Sequence, residues 1–159
     1  MLLKYFPLLF LAQILIVAAK PTHPVPSNSD DPRRRQAEEE TVNLCNSLMR
    51  SQITFFTEVK AQLNPQTKRS QDISLYLTQL NALIAEDDLQ KKGQMIQNIS
   101  EEFQGSPLLL NNESETGLSD NQYEDLLRGQ KLNEMKTKMK ADFTDYFWKM
   151  TKLTLRIFG

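Results

Sequence analysis

Apolar and polar positions alternate with a helical period over residues 70–84, and this stretch organises the interpretation of the whole chain. The apolar side chains recur three and four residues apart, which places them on one face of a helix. They are Ile73, Tyr76, Leu77, Leu80, Leu83 and Ile84. Leu75 widens this face, and neither glycine nor proline interrupts it. A helix this apolar in a small protein is predicted to lie in the middle of a bundle, with other helices packed against it.

Three further stretches repeat the helical period, so the sequence predicts an all-α fold. The first covers residues 36–63, either as one helix or as two with a tight joint near residues 50–52. Pro65 ends it, because the proline ring is poorly accommodated beyond the first turn of a helix. The second stretch covers about residues 88–104, and the third runs from Tyr123 almost to the last residue.

Residues between the predicted helices and at their ends also indicate local structure. Residues 105–120 are mostly polar and are predicted to form a loop, in which residues 108–110 tuck one turn back onto the bundle. Ser119 is a good N-cap for the last helix, and Gly129 is a place where that helix could bend. The acidic residues 38–40 are expected in the first turn of the first helix, where they favour the positive end of the helix dipole.

The N-terminal part has the pattern of a secreted protein. Residues 1–19 combine one lysine with an apolar run that ends in small residues, which predicts a signal peptide cleaved after Ala19. Residues 20–35 are rich in proline and are predicted to form a flexible arm. The arm ends in three arginines, residues 33–35, which are either a solvated basic turn or a convertase cleavage site. The mature protein is therefore expected outside the cell.

The amino-acid composition argues against several classes of protein function. The chain has 19 basic and 20 acidic residues, a net charge of −1, which excludes the strongly basic surface of a typical nucleic-acid binder. Beyond the signal, no segment is apolar for long enough to span a bilayer. The single histidine, His23, lies in the proline-rich arm, and the five glycines form no phosphate-binding loop. We therefore expect neither an enzyme nor a cofactor or metal site.

The single cysteine, Cys45, excludes a disulfide within the chain. Packing must then hold the domain of residues 36–159 together, helped by any oligomer that forms. Cys45 lies on the apolar stripe of the first helix, which predicts a buried free thiol. A disulfide between two chains is the alternative.

The last helical segment is too long for one small bundle. A helix of about 35 residues would span about 50 Å, and its long apolar stripe suggests that a partner chain covers part of it. Residues 128–159 also hold eight basic side chains against three acidic ones. This excess is explained either by an exposed helix face or by affinity for sulfated glycans or an acidic receptor surface.

Two sequons for N-glycosylation are present, at Asn98 and at Asn112. Asn112 lies in the predicted loop, where an oligosaccharide would be accommodated. Asn98 lies between two isoleucines of a predicted helix, so its use requires that its side chain point to solvent.

Three short segments, at residues 70–76, 99–103 and 130–134, carry sequence patterns that resemble those of the type II interferon (interferon gamma) family. The first is a Ser-Gln-x-x-Ser-x-Tyr run on the central helix, which resembles the family's buried third helix; its residues are Ser70, Gln71, Ser74 and Tyr76. Residues 99–103 are similar to an Ile-Ser-Glu-Glu-Leu stretch on the next helix. The segment from Gln130 to Glu134 resembles a contracted form of the family's last-helix pattern.

The resemblance implies a helical cytokine that forms an intertwined homodimer, in which the last helix of each chain packs into the other. It would bridge cell-surface receptor chains in an immune and antiviral response, without catalysis or a cofactor. Receptor contacts would lie on the exposed face of the first helix or the basic side of the last, and no individual contact residue can be named. A helical cytokine of another family and a secreted helical lipid carrier are the alternatives.

Overall fold

The computed structural model describes residues 31–104 and 107–155, and this part of the chain is entirely helical apart from its connections. The six helices are α1 (Pro32–Gln62), α2 (Lys68–Ala85), α3 (Leu89–Glu102), α4 (Glu113–Thr116), α5 (Asp120–Gly129) and α6 (Leu132–Leu155). The predicted all-α class is confirmed. The predicted signal peptide, most of the arm and the last four residues lie outside the described residues. Each described helix is too short or too polar to cross a lipid bilayer.

Helix α1 is continuous, which resolves the choice between one helix and two. It begins at Pro32, four residues earlier than expected, so residues 33–35 are helical and are not part of an arm. The cause is local, because the Asp31 side chain accepts a hydrogen bond from the Arg33 backbone N–H and proline is well suited to the first helical position. The expectation for residues 38–40 is therefore wrong, since the first turn contains no acidic residue.

Helix α2 is the centre of the bundle, as its pattern predicts, and it packs against α1, α3 and α4. Its fully buried side chains include Ile73, Leu80 and Leu83. Leu75 is an exception: 45% of its surface is exposed, so it does not widen the buried face. Position 75 lies on the side of α2 that no neighbouring helix covers.

Helix α6 packs back along α1, so the first and last helices lie side by side. Polar contacts join α1 and α6 at three positions along their length. The Thr41 and Tyr146 hydroxyls are 3.0 Å apart, Ser47 Oγ donates to Asp142 at 2.7 Å, and Lys149 Nζ lies 3.0 Å from Glu40. Both helices contribute apolar side chains to one core that also includes α2, α3 and α5.

The last segment is two helices rather than one long one. Helix α5 ends at Gly129, and the chain turns at Lys131, which has a left-handed backbone with φ of 67°. The bend expected at Gly129 is thus placed two residues later. Ser119 caps α5 as predicted, within a capping box that includes Gln122.

The region predicted as a polar loop is more ordered than expected. Asn112 caps the short helix α4, which ends at Gly117 in a left-handed conformation, and α5 follows directly. Leu108 is buried and Leu109 packs against the core, so the predicted contact of residues 108–110 with the bundle is confirmed for these two; Leu110 is 36% exposed.

Candidate functional site

The central-helix motif is a structural element. Tyr76 is buried, donates a hydrogen bond to Gln52 Oε1 on α1, and meets the rings of Phe56 and Phe103 edge-on at 5.3 and 5.0 Å. Burial raises its phenolic pKa far above the ordinary value. Tyr76 therefore joins α1, α2 and the end of α3, and its hydroxyl is not available to a ligand.

The other residues of this motif serve the helix itself. Ser70 is buried, and its backbone N–H bonds to the Thr67 hydroxyl that caps α2. Ser74 donates its hydroxyl to the Ser70 carbonyl oxygen at 2.9 Å, while Gln71 is exposed. The run that carries the family resemblance thus describes a packed helix, not a binding surface.

The last-helix motif lies elsewhere in the molecule. Gln130 is the C-cap of α5, and Glu134 is exposed, with its carboxylate 3.8 Å from Lys131 Nζ. Both residues line a groove of about 990 Å³ between α1 and the α5–α6 turn, opposite Asn43 and Asn46. Among the described residues, no hydrogen bond links this set to the residues around Tyr76, so the structure does not bring the two motifs together.

The face of α6 that points away from α1 carries a second stripe without charges. Its members follow one another at spacings of four and three residues, and they are Thr137, Ala141, Thr144, Trp148, Thr151 and Leu155. At 3.6 residues per turn, this stripe lies about 180° around the helix from the face that packs on α1. The helix thus has two faces suited to packing, and the described residues cover one of them.

The outer stripe is apolar at its C-terminal end. Trp148 is 57% exposed and Leu155 65%, and the neighbouring Phe147 is 62% exposed with its ring 5.8 Å from that of Trp148. Thr144 and Thr151 donate their hydroxyls to carbonyl oxygens four residues earlier, at 2.9 and 2.8 Å. Their methyl groups rather than their hydroxyls are therefore available to a partner.

The rim of the stripe is basic. Lys136, Lys140 and Lys152 make no ion pair within the described part of the chain. Lys149 is paired with Asp145 and Glu40, and hydrogen bonds to these carboxylates raise its pKa. An apolar centre with unpaired amines at its edge is complementary to a partner surface that carries acidic residues around an apolar patch.

Sequence reasoning missed this stripe because the apolar residues of α6 were assigned to one continuous pattern. Periodicity groups Phe147 with the apolar positions Tyr146 and Met150, but the structure exposes it. The signal that would separate the two faces is the regular 4-3-4-3-4 spacing of uncharged residues from Thr137 to Leu155.

Cys45 is buried as a free thiol, in agreement with the prediction. Burial raises its pKa to about 11, opposed by the nearby Lys92 ammonium. Lys92 is itself buried, which lowers its pKa, and it donates to the Leu83 and Ile84 carbonyl oxygens at the end of α2 at 2.6 and 3.3 Å. The pair is structural, and a disulfide between chains would require local opening of α1.

Both predicted glycosylation sites are on the surface. Asn98 is exposed on α3, and Asn112 is exposed at the start of α4. The Asn112 Oδ1 atom accepts a hydrogen bond from the Ser114 hydroxyl at 2.7 Å. The side-chain nitrogen of Asn112, to which an oligosaccharide would be attached, takes no part in this bond. The geometry is compatible with glycosylation at both positions.

Residues 31–104 and 107–155 contain no group of three or more His, Cys, Asp or Glu side chains placed to hold a metal ion. Comparison with protein-family models, with curated proteins and with solved structures finds no match to this chain.

Proposed function

We propose that the protein is a secreted helical cytokine of the interferon-gamma type, which binds a cell-surface receptor and has no catalytic activity of its own. The observation that carries the proposal is the outer stripe of α6, with Phe147, Trp148 and Leu155 exposed beside unpaired lysines. The signal-peptide pattern and the three short segments that resemble the interferon gamma family support a partner on the outside of a cell.

The energetics favour this stripe as a binding surface. Aromatic side chains bury about 150–250 Å² each, and tryptophan is enriched among the residues that contribute most of the affinity in protein interfaces. At about 25 cal/mol per Å², burying Trp148 and Phe147 together would contribute several kcal/mol before the costs of association. The basic rim would speed the encounter with an acidic receptor surface.

We propose a homodimer as the active form. The helix α6 packs on α1 of its own chain, and the turn at Lys131 is a hinge about which two chains would exchange α6 and become intertwined. Such an exchange reuses the contacts between α1 and α6 and leaves the outer stripe of each α6 uncovered. Two stripes on one dimer would then bridge two receptor chains.

The deciding experiment is saturable binding of the labelled protein to intact leukocytes, compared between Trp148→Ala and Leu75→Ala. Leu75 is a matched control because it is also an exposed apolar side chain, on α2 rather than α6. We expect Trp148→Ala to weaken binding at least tenfold and Leu75→Ala to leave it unchanged. Equal binding by both variants, or the absence of saturable binding, would contradict the proposal.

The dimer has its own test, which is the mass of the deglycosylated protein by light scattering behind a sizing column. Twice the chain mass, unchanged by a reductant, is expected. A dimer that the reductant splits would point to Cys45, and a monomer would contradict the intertwined form.

A further inference from the structure

A large cavity opens on the flank of the bundle, between α1, α2, the segment 107–111, α5 and the first half of α6. Its volume is about 1080 Å³, and most of its wall is apolar. The apolar side chains that define it are Phe56, Tyr76, Phe103, Leu127, Met135 and Met139. Pockets that enclose small organic ligands are typically about 300–1,000 Å³ and are lined in this way.

The polar side chains that α1 and α2 contribute to the cavity wall already have hydrogen-bond partners within the protein. The two polar side chains from α1 and α2, Gln52 and Tyr76, are hydrogen-bonded to each other, and Gln52 also donates to the Leu48 carbonyl oxygen. The methionines add unbranched, adaptable side chains that adjust to a flexible chain better than to one rigid shape. These properties favour a hydrocarbon chain.

The charged residues of the cavity indicate which head group the ligand would carry at the end opposite its hydrocarbon chain. Lys136 and Lys140, one turn apart on α6, are exposed residues of its wall and make no ion pair within residues 31–104 and 107–155. Two acidic residues also line it, but both are engaged: Asp120 accepts from the Asn111 amide at 2.9 Å, and Glu124 is paired with Arg128 at 2.9 Å. The amines are therefore available to an anion. The charge of Glu124 is balanced by Arg128, whereas Asp120 keeps its negative charge because the Asn111 amide is neutral.

From this arrangement we propose that the cavity binds a single-chain amphiphile with an anionic head group, of the long-chain fatty acid class. The hydrocarbon chain lies against the aromatic and methionine side chains, and the carboxylate is held at the opening by Lys136 and Lys140. Charge-assisted bonds from an ammonium to a carboxylate are roughly twice as strong as neutral ones, so the head group provides selectivity as well as orientation.

The apolar part of this site is separate from the proposed receptor surface, whereas Lys136 and Lys140 also belong to the basic rim of the outer stripe. Phe147, Trp148 and Leu155 do not line the cavity, and Lys136 and Lys140 lie toward the other end of α6. A fatty acid would also stabilise the fold, because it fills space that α1, α2 and α6 leave open and binds only the folded chain.

The test is a calorimetric titration of the delipidated full-length mature protein with oleate below its micelle concentration, alongside oleyl alcohol and oleylamine. We expect one oleate per chain, and at least tenfold weaker binding of the alcohol and the amine. Laurate should bind far more weakly than oleate, since each methylene removed from water changes affinity about fourfold. Saturation by many molecules per chain, equal binding of the amine, or no dependence on chain length would overturn the proposal.

Variants locate the site. Lys136→Gln combined with Lys140→Gln should weaken oleate about tenfold and leave oleyl alcohol unchanged, whereas Lys152→Gln, outside the cavity, should change neither. Met135→Trp places a bulky ring against the apolar wall and should weaken the binding of both ligands. Circular dichroism and thermal melting of each variant establish that it is folded. If the double lysine variant bound oleate like the unchanged protein, the assignment of the head-group site would be wrong.

Discussion

The buried Arg69 guanidinium lies 2.8 Å from the partly buried Glu115 carboxylate, and this pair joins the start of α2 to α4. Only 1% of Arg69 is exposed. Its Nη1 atom also donates to the carbonyl oxygens of Leu108 and Leu110 at 3.0 and 2.8 Å, and to the Tyr123 hydroxyl at 3.2 Å. One side chain therefore holds the 107–116 segment and α5 against the central helix.

We predict that Arg69→Ala lowers the free energy of unfolding by about 3 kcal/mol or more, because it leaves a carboxylate and several carbonyl groups without their donor. Arg69→Lys should recover only part of the loss, since an ammonium lacks the planar fork. Denaturant titration measures both. Lys68→Ala is the control: its ion pairs with Asp72 and Glu115 are exposed, so its loss should stay below about 1 kcal/mol. Equal losses at positions 68 and 69 would contradict this view.

Cys45 is predicted to resist alkylation in the native protein at pH 8. Burial raises the pKa of the Cys45 thiol from its ordinary value of 9.0 to about 11, so the thiolate is rare and inaccessible. The stability that accompanies the protonated thiol is fully present below about pH 9 and is lost as the pH rises toward about 11. Stability measured from pH 8 to 11 should therefore fall less steeply in Cys45→Ala. Rapid native-state alkylation would contradict the burial.

Lys131→Gly is predicted to stabilise the protein by about 0.5–1 kcal/mol. A left-handed backbone costs a non-glycine residue about 1–2 kcal/mol, partly offset here by the greater freedom of glycine in the unfolded chain. Lys131→Ala removes the same charge but keeps the Cβ atom, so it should give no gain. Thermal unfolding of the three proteins decides, and equal melting temperatures for the two variants would exclude strain at this turn.

Trp148→Ser is predicted to change the free energy of unfolding by less than about 0.5 kcal/mol, because the indole is largely exposed in the folded chain. Leu80→Ala, at a fully buried position of α2, should cost about 2–5 kcal/mol in the same assay. A large loss in Trp148→Ser would mean that the outer stripe of α6 is covered within the protein itself.

Glycosylation is predicted at both sequons when the protein is secreted from animal cells. Asn98→Gln and Asn112→Gln should each lower the intact mass by one oligosaccharide, and the double variant by two. Mass spectrometry before and after enzymatic deglycosylation measures this. An unchanged mass in either single variant would show that the corresponding asparagine is not used.

The helices of the core could be predicted from the sequence because their apolar side chains recur with one clear period. Ile73, Leu80 and Leu83 are buried as that period requires. The division of the last segment could not be found in this way, because Lys131 has a left-handed backbone although it is neither glycine nor proline. The burial of Arg69 could not be predicted for a similar reason. Its partners lie about 40 residues away along the chain, and an arginine at the start of a helix normally faces water.

The candidate surface was harder to predict than the fold. Phe147 follows the apolar positions of α6 so closely that periodicity alone assigns it to the core, whereas Trp148 lies on the opposite stripe. Which stripe is buried depends on where α1 lies, and that position is fixed by contacts such as the one between Thr41 and Tyr146. Burial is a property of the tertiary arrangement, so the exposed stripe became visible only when both helices were placed.

The side-by-side packing of α1 and α6 also determines the order in which the protein acquires its structure. Contacts such as those of Ser47 with Asp142 and of Glu40 with Lys149 join residues 95 and 109 positions apart. Closing so long a loop is slow for a helical protein, since folding rates fall as the mean sequence separation of contacts rises. While the chain is synthesised, the apolar face of α1 stays uncovered until α6 is complete, because α6 is the last described helix to emerge. Docking of α6 is therefore expected to be the late, rate-limiting step of folding, and the step at which two nascent chains would exchange this helix.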